Sequence, residues 1–238
     1  MHPGQARMEE SVLKYFTWPG CTSAIRNYVK QCDVCQRYKT ANVGKVGKVP
    51  LRDPPNMDPW DLLTVDLCGP WSVEVEYKKD GKLEKKVRKS VWALTMMDEA
   101  TSWIEIIPIS NKESKTIALL VDSEWFCRYP RPLFCIYDNG KEFIGEEFQE
   151  MLESYGVKKN PTTIKNPQGN AMHERVHLTM AEMLRTQQII VEEKGTASEE
   201  IHQLLQAVAF AIRTATSTTT KYSPSELIFG RDMILHIK

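Results

Sequence analysis

The sequence predicts an α/β chain built around a mixed sheet, and three observations predict it. Apolar runs rich in Val, Ile, Thr and Trp recur between residues 58 and 109, separated only by turn signals. After Ser110 the apolar period lengthens to that of a helix. A further buried-looking strand and more amphipathic helices then follow. Three strands, a helix, a strand and further helices make an α/β layout with a mixed sheet, compatible with a ribonuclease-H-like core, although order alone does not single that fold out.

The elements follow in order. Residues 1–44 read as a small helical unit closing on "QCDVCQRYKT", and residues 45–57, rich in Gly, Pro and Lys, read as a linker. Residues 58–232 form the main domain, and 233–238 a tail. "DLLTVDLCG" predicts a short strand ending at Gly69-Pro70. "VEVEYKKDGKLEKKVRKSV" predicts a charged hairpin turning at Asp80-Gly81. "SVWALTMMD" and "TSWIEIIPI" predict two more strands joined by a turn around Asp98 to Ala100. Ser110 and Glu113 have the spacing of a capping box, opening a helix with Ile117, Leu120, Val121 and Trp125 on its apolar face. "RPLFCIYDNG" predicts a buried strand, and Phe148, Met151, Leu152 and Tyr155 mark a short helix stopped by Gly156. "VKKNP" predicts another strand. A long helix capped by Asn170 contains Glu174, and a last helix over 199–213 places Ile201, Leu204, Leu205, Val208 and Ile212 together.

The chain has 238 residues, 42% apolar and 26% charged, with zero formal net charge. That balance suits one sizeable soluble core. No apolar run approaches the ~20 residues that span a bilayer, so no membrane partner is expected. "MHPGQARMEE" lacks a signal-peptide pattern, and six cysteines with one C-x-x-C pair suggest a reducing intracellular compartment rather than a disulfide framework. Charge is uneven. Residues 1–50 carry five more basic than acidic groups, residues 51–150 six more acidic, and residues 151–238 one more basic. A nucleic-acid partner would therefore meet local basic patches such as "KKDGKLEKKVRK". Cys68, Cys127 and Cys135 sit in apolar surroundings and read as core residues.

Asp66 closes the run "LLTVDLCGP" and Asp138 closes "LFCIYDNG". Ligands gather at the carboxyl ends of strands in open α/β sheets, so neighbouring strands would make these aspartates converge. Glu174 follows Asp138 with 35 residues between them, enough for a helix, a strand and a loop that return the chain to the same edge. Three convergent carboxylates need cations among them. Their hard oxygen atoms suit Mg²⁺ or Mn²⁺, and two such ions ~3.5–4 Å apart serve phosphoryl transfer.

His173-Glu174-Arg175-Val176-His177 also matches the H-E-x-x-H pattern of zinc proteases. The extended form of that motif places glycine and a third histidine where Met180 and Met183 stand. A third ligand from Glu192, Glu193 or His202 remains formally open. On a helix, His173 and His177 flank the apolar stripe of Val176, Met180 and Leu184.

The carboxylates and their surroundings resemble the integrases of retroviruses and long-terminal-repeat retrotransposons, especially the gypsy type. The D,D-35-E pattern falls on Asp66, Asp138 and Glu174. The adjoining words "PWDLLTVDLCGP", "YDNGKEFIGEEF", "NPQGNAMHERVHLTMAEMLRT" and "AFAIRTATSTTTKYSPSELIFGRDM" are similar too. The likeness runs from about residue 2 to 235. It implies a ribonuclease-H-like core with a mixed five-stranded sheet flanked by helices, preceded by a small helical zinc-binding remnant.

By that resemblance, Asp66 bridges two Mg²⁺ or Mn²⁺ ions, and Asp138 and Glu174 each hold one. The activity implied is trimming of the element's DNA 3′ ends by water, then attack of the new 3′-hydroxyl on target DNA. Asn166, Gln168, Gly169, Asn170, Arg175, His177 and Arg185 would approach DNA, with Leu178 and Ala181 on the same side of the helix. Leu178 stands where the family often carries a basic residue. His2, Cys32 and Cys35 resemble part of a His-His-Cys-Cys zinc module. A structural zinc needs four ligands, so this site reads as incomplete, the other histidine falling before Met1. Partners implied are element and target DNA and a homo-multimer. The implied site of action is the nucleus, after a cytoplasmic particle or polyprotein stage. The incomplete zinc set, and the absence of a carboxyl-terminal DNA-binding domain after Lys238, support a second expectation. It is a catalytically silent fragment that binds DNA or a partner.

Overall fold

A computed structural model describes residues 4–33, 36, 57–80, 82–162, 176–178, 180–181, 189–191, 197–217 and 220–234. Two helices, α1 (Gln5–Leu13) and α2 (Cys21–Gln31), precede strands β1 (Leu62–Lys79), β2 (Lys82–Asp98) and β3 (Ile104–Ile109). Helix α3 (Ser114–Val121) runs on into a π-helical turn (Asp122–Phe126), followed by β4 (Phe134–Tyr137), α4 (Lys141–Ile144), α5 (Glu146–Ser154) and β5 (Lys158–Pro161). Strand β6 (Ile189–Val191), α6 (Ala197–Thr214) and α7 (Pro224–Phe229) complete the described elements. The linker over 45–56 lies outside the described residues.

The sheet order is β3-β2-β1-β4-β5, with β6 also paired to β1. β1, β2 and β3 are antiparallel neighbours, whereas β4 and β6 pair β1 in parallel and β5 pairs β4 in parallel. The sheet is therefore mixed. Its main path has five strands, as the sequence predicts, and β6 is a sixth that the sequence does not.

Alternation along each strand divides the core between the two faces. Leu63 and Val65 of β1, Leu94 and Met96 of β2, and Cys135 and Tyr137 of β4 pack with Ile117, Val121, Trp125, Phe143, Phe148 and Leu152. On the other face, Val73, Val75, Val91, Ala93, Met97, Ile104 and Ile106 pack with Ala197, Ile201, Leu205, Val208, Ala209 and Met180. Three layers result, helix on sheet on helix. In β1 the buried parity is odd on both sides of residue 70 although the face changes. A register shift between Cys68 and Trp71 makes that switch. Gly69 sits in it at φ +114°, where an added Cβ would lie 2.5 Å from the Val91 carbonyl oxygen. Only glycine takes that conformation and approach without strain.

Several local expectations are corrected. β1 does not stop at Gly69-Pro70 but continues to Lys79, because the glycine bulge keeps it paired to β2. The Ser110/Glu113 box does not form. α3 starts at Ser114, its N-cap Glu113 makes no side-chain cap, and Ser114 Oγ instead accepts the Phe148 N–H at 3.2 Å. A capping box does form at Ser223 and Glu226, at the start of α7. Cys127 is exposed, because the π-helical turn gives the buried positions to Trp125 and Phe126. Cys68 and Cys135 are buried as expected. Asp80, at φ 49°, makes the hairpin turn before Gly81.

An aromatic and ionic cluster fixes the β3 edge. Glu105 of β3 is buried, pairs with Arg213 of α6 and accepts a hydrogen bond from the Tyr129 hydroxyl. Burial, with the Glu105 hydrogen bond acting in the same direction, pushes the Tyr129 phenol up from 10.0 to about 12. A pKa raised on folding means stability that is complete below pH 10 and is lost as pH rises through 12. Urea midpoints measured from pH 9 to 12 are expected to fall over that window. In Tyr129→Phe the curve starts lower but falls less steeply, and an unchanged slope would contradict this account.

Helices α1 and α2 rest on the carboxyl-terminal segment. Lys14 pairs with Glu226, Glu10 with Lys221 at 3.2 Å, Ser11 bonds Thr216 at 3.2 Å and Tyr15 bonds Asp232 at 3.3 Å.

Candidate active site

Asp66 lies within β1 rather than at its end. What ends there is the pairing with β4, which runs over Leu62–Phe134, Leu63–Cys135 and Thr64–Ile136. Among the described residues, the edge of β1 facing β4 next pairs at Val75, with β6. Asp66 thus stands in an interval between two strand partners.

Continuing the β1–β4 register by two residues brings Asp66 level with Asp138, the residue after β4. Neighbouring strands lie about 5 Å apart, which sets the backbone separation of the two aspartates to the same order. They also share a face. Leu63 and Val65, with Cys135 and Tyr137, point into the first core cluster, so the even positions Asp66 and Asp138 point the other way. The strands are parallel, so both carboxylates belong to the same end of the sheet. Register and pleat thus put the two aspartates at neighbouring positions on one face.

The Asp66 side chain is 19% exposed, and its Oδ1 accepts the Leu67 N–H at 2.7 Å. Asp138 is exposed, and its Oδ1 accepts the Gly140 N–H at 2.9 Å. A Cβ on Gly140 would lie 2.9 Å from that oxygen, so glycine there leaves room for the turn. The strand beside Asp138 is continued by Thr162, whose N–H and hydroxyl both reach the Tyr137 carbonyl while its own carbonyl accepts from Asn139.

His177 belongs to the helical residues 176–178 and is half-buried. Its Nδ1 is 3.7 Å from Asp66 Oδ2. Its Nε2 lies within hydrogen-bond reach of Cys68 Sγ and 3.3 Å from Thr95 Oγ1, and that hydroxyl donates to the Asp66 carbonyl at 3.1 Å. Burial, with the Asp66 charge acting in the same direction, pushes the Cys68 thiol well above its usual range, so it stays protonated and can donate. Cys68 and Thr95 were not singled out from sequence as site residues. The signal available was alternation: Cys68 is two residues from Asp66 and therefore on its face.

The helix of His177 packs through Met180 and Ala181, both buried, while Leu178 is 65% exposed. Of the two positions expected beside Glu174, Leu178 is open to solvent and Ala181 is buried. Another nearby acid is structural. Asp98 is fully buried and accepts from the Trp60 N–H, the Thr101 N–H and the Thr101 hydroxyl.

Glu174, Arg175, Asn166, Gln168, Gly169, Asn170, Arg185, His2 and Cys35 lie outside the described residues. Cys32 is placed at the carboxyl end of α2, half-buried, and Cys21 is buried in the first turn of the same helix. His202 is exposed on α6, away from the sheet face that its helix covers. Among the described residues, no group of three or more His, Cys, Asp and Glu side chains is placed to hold a metal. No described helix is long and apolar enough to cross a membrane.

Residues 1–41 match the family described as integrase zinc binding domain, and residues 65–167 match the integrase core domain. Two separate stretches of the chain are therefore similar to two domains of integrases. Relatives include the Retrovirus-related Pol polyprotein from transposon 412 of Drosophila melanogaster, 25% identical over 97% of this chain and 17% of that protein. The Transposon Tf2-3 polyprotein of Schizosaccharomyces pombe is 23% identical over 94% of this chain and 16% of that protein. The chain thus spans about one-sixth of the length of these curated relatives. The crystal structure of the catalytic core domain of BIV integrase aligns with a TM-score of 0.52 at 15% identity, covering 72% of this chain and 95% of that one. That likeness establishes the ribonuclease-H-like fold of the core. The integrase core family is a family of polynucleotidyl transferases.

Proposed function

We propose that this integrase segment carries a D,D-35-E active site formed by Asp66, Asp138 and Glu174, and that it processes DNA 3′ ends and joins them to target DNA. The observation that carries the reading is the level, same-face placement of Asp66 and Asp138 on adjacent parallel strands. The donor set is hard oxygen, which fits Mg²⁺ or Mn²⁺ better than a soft metal. Asp66, Asp138 and Glu174 would hold two such ions, which when bound supply charge stabilisation to the attacking and leaving oxygens.

The chain's own residues then have defined tasks. The Leu67 N–H fixes one oxygen of Asp66, and the Gly140 N–H fixes one oxygen of Asp138, so both carboxylates are oriented before substrate arrives. Water breaks a phosphodiester bond near the element's end and leaves a 3′-hydroxyl. That hydroxyl attacks a target phosphorus, the target's own 3′-oxygen leaves, and its proton comes from solvent. No protein nucleophile enters. Asn166, Gln168, Gly169, Asn170, Arg175 and Arg185 are proposed to hold the DNA end. Cys32, Cys35 and His2 are proposed zinc ligands, in keeping with the matched zinc-binding family. A homo-multimer acting on DNA in the nucleus, after a cytoplasmic particle or polyprotein stage, completes the reading.

The test is strand joining on a branched DNA substrate with Mn²⁺ or Mg²⁺, with Glu174→Gln as the inactive control. Metal-dependent joining by the wild-type chain alone is the expected outcome. A well-folded chain that joins nothing with either metal would sink the catalytic reading and leave a DNA- or partner-binding module.

A further inference from the structure

We infer that His177 is a positioning residue for the Asp66 carboxylate, and that the His177–Cys68–Thr95 contacts clamp its helix to strand β1 so that the metal-binding oxygen is aimed. The inference rests on the three-carboxylate reading and names a part of that site that the D,D-35-E pattern does not contain.

The geometry divides the work between the two ring nitrogens. Nε2 faces Cys68 Sγ and Thr95 Oγ1, one from each of the two strands β1 and β2, at a point where Cys68 and Thr95 also touch each other at 3.5 Å. Nδ1 is left facing Asp66 Oδ2 at 3.7 Å. Because Nε2 is engaged by these two strands, Nδ1 is the ring atom turned toward the carboxylate. Asp66 is then held from two sides, by the Leu67 N–H on Oδ1 and by His177 opposite Oδ2.

Thr95 closes the loop, since its hydroxyl donates to the backbone carbonyl of Asp66 itself. Both backbone and carboxylate of Asp66 are therefore referenced to the same imidazole. His177 follows Glu174 by three residues in the chain, and its helix is anchored into the second core cluster through Met180 and Val176. Partners that orient a metal-binding carboxylate typically change metal affinity by about 10- to 100-fold when removed.

The test is Mn²⁺ binding followed by electron paramagnetic resonance in the absence of DNA, with melting temperatures recorded on the same samples. The proteins compared are wild type, Asp66→Asn, His177→Ala, His177→Asn and His177→Gln. Asparagine places its amide N–H where Nδ1 stands, whereas glutamine places it where Nε2 stands. Asp66→Asn is expected to lose Mn²⁺ binding. His177→Ala is expected to weaken it about 10-fold, whereas His177→Asn and His177→Gln, each keeping one half of the contacts, are expected to fall between alanine and wild type. Should His177→Ala not fold, the asparagine and glutamine pair decides alone. Wild-type affinity in His177→Ala, or in both His177→Asn and His177→Gln where alanine does not fold, with binding lost in Asp66→Asn, overturns the clamp and leaves the carboxylate reading intact. Wild-type affinity in Asp66→Asn overturns the carboxylate reading and the clamp with it. Unchanged Mn²⁺ affinity combined with weakened DNA binding in the His177 variants would make His177 a DNA contact instead.

Discussion

Asp66→Asn is expected to abolish metal-dependent strand joining, by about 10³-fold or more, while leaving the fold in place. The magnitude corresponds to about 4 kcal/mol of lost transition-state stabilisation, the scale on which bound cations act in phosphoryl transfer. The substitution is nearly isosteric, and an asparagine oxygen can still accept the Leu67 N–H that Asp66 Oδ1 now takes at 2.7 Å. The charge alone is removed. Because carboxylates gathered without cations repel one another, the melting temperature of the metal-free variant should hold or rise. Asp98→Ala is the contrast. Asp98 is fully buried and accepts three hydrogen bonds at the β2–β3 turn, so its loss should cost stability, about 1–3 kcal/mol for the donors left unsatisfied, and spare the chemistry in whatever protein stays folded. Joining assays and thermal melts on both variants check the pair. Equal loss of stability in both would mean that Asp66 is structural.

The different surroundings of these two aspartates were legible in the sequence only in outline. Both end apolar runs followed by turn signals, and position alone does not separate a turn cap from a ligand. What separates them is pairing. The parallel β1–β4 register sets Asp66 beside Asp138, while Asp98 folds back onto Trp60 and Thr101 within its own turn. The hairpin, α3, α5, β5 and α6 were readable because their signals are local: alternation, a 3.6-residue period, Asp80-Gly81 and Gly156. Strand β6 was not, since three residues acquire strand geometry only by pairing with Val75 to Tyr77, more than a hundred positions away. Gly69-Pro70 reads as a stop because both residues disfavour regular strands. In the folded chain the glycine makes the bulge by which β1 changes faces and continues.

The surroundings of Asp66 were hidden for a related reason. His177 sits in a helical pattern whose spacing says which residues are apolar but not which strand the helix meets. Its closeness to Cys68 and Thr95 arises from packing of Met180 against the second core cluster, a tertiary fact. The H-E-x-x-H spelling drew attention to the segment that carries His177. Its second histidine faces a carboxylate and a thiol, and no described group of three ligands forms around it.

Arg213→Met is expected to destabilise the folded chain by about 3–5 kcal/mol, the usual consequence of leaving one member of a buried ion pair behind. The Glu105 side chain is only 5% exposed and that of Arg213 13%, so water cannot replace the lost partner. More than the pair is involved. Arg213 Nε donates to the Ile104 carbonyl at 2.7 Å, its guanidinium lies 4.6 Å from the Trp103 ring centre, and Gln206, about two turns earlier, donates to the Ile106 carbonyl at 3.1 Å. Among the described residues β3 pairs only with β2, so these carbonyls belong to an edge of the described sheet, and α6 caps that edge with side chains. Removing Arg213 therefore strips the Glu105 charge of its counterion and bares an edge carbonyl together, which predicts aggregation on heating as well as a lower urea midpoint. Arg213→Met combined with Glu105→Leu removes both charges and should recover most of the urea midpoint, because an apolar pair of similar volume tolerates burial. The edge carbonyl of Ile104 stays bare in that double variant, so its tendency to aggregate should persist. Recovery of both properties together would mean that the ion pair, and not the capped edge, is what protects β3.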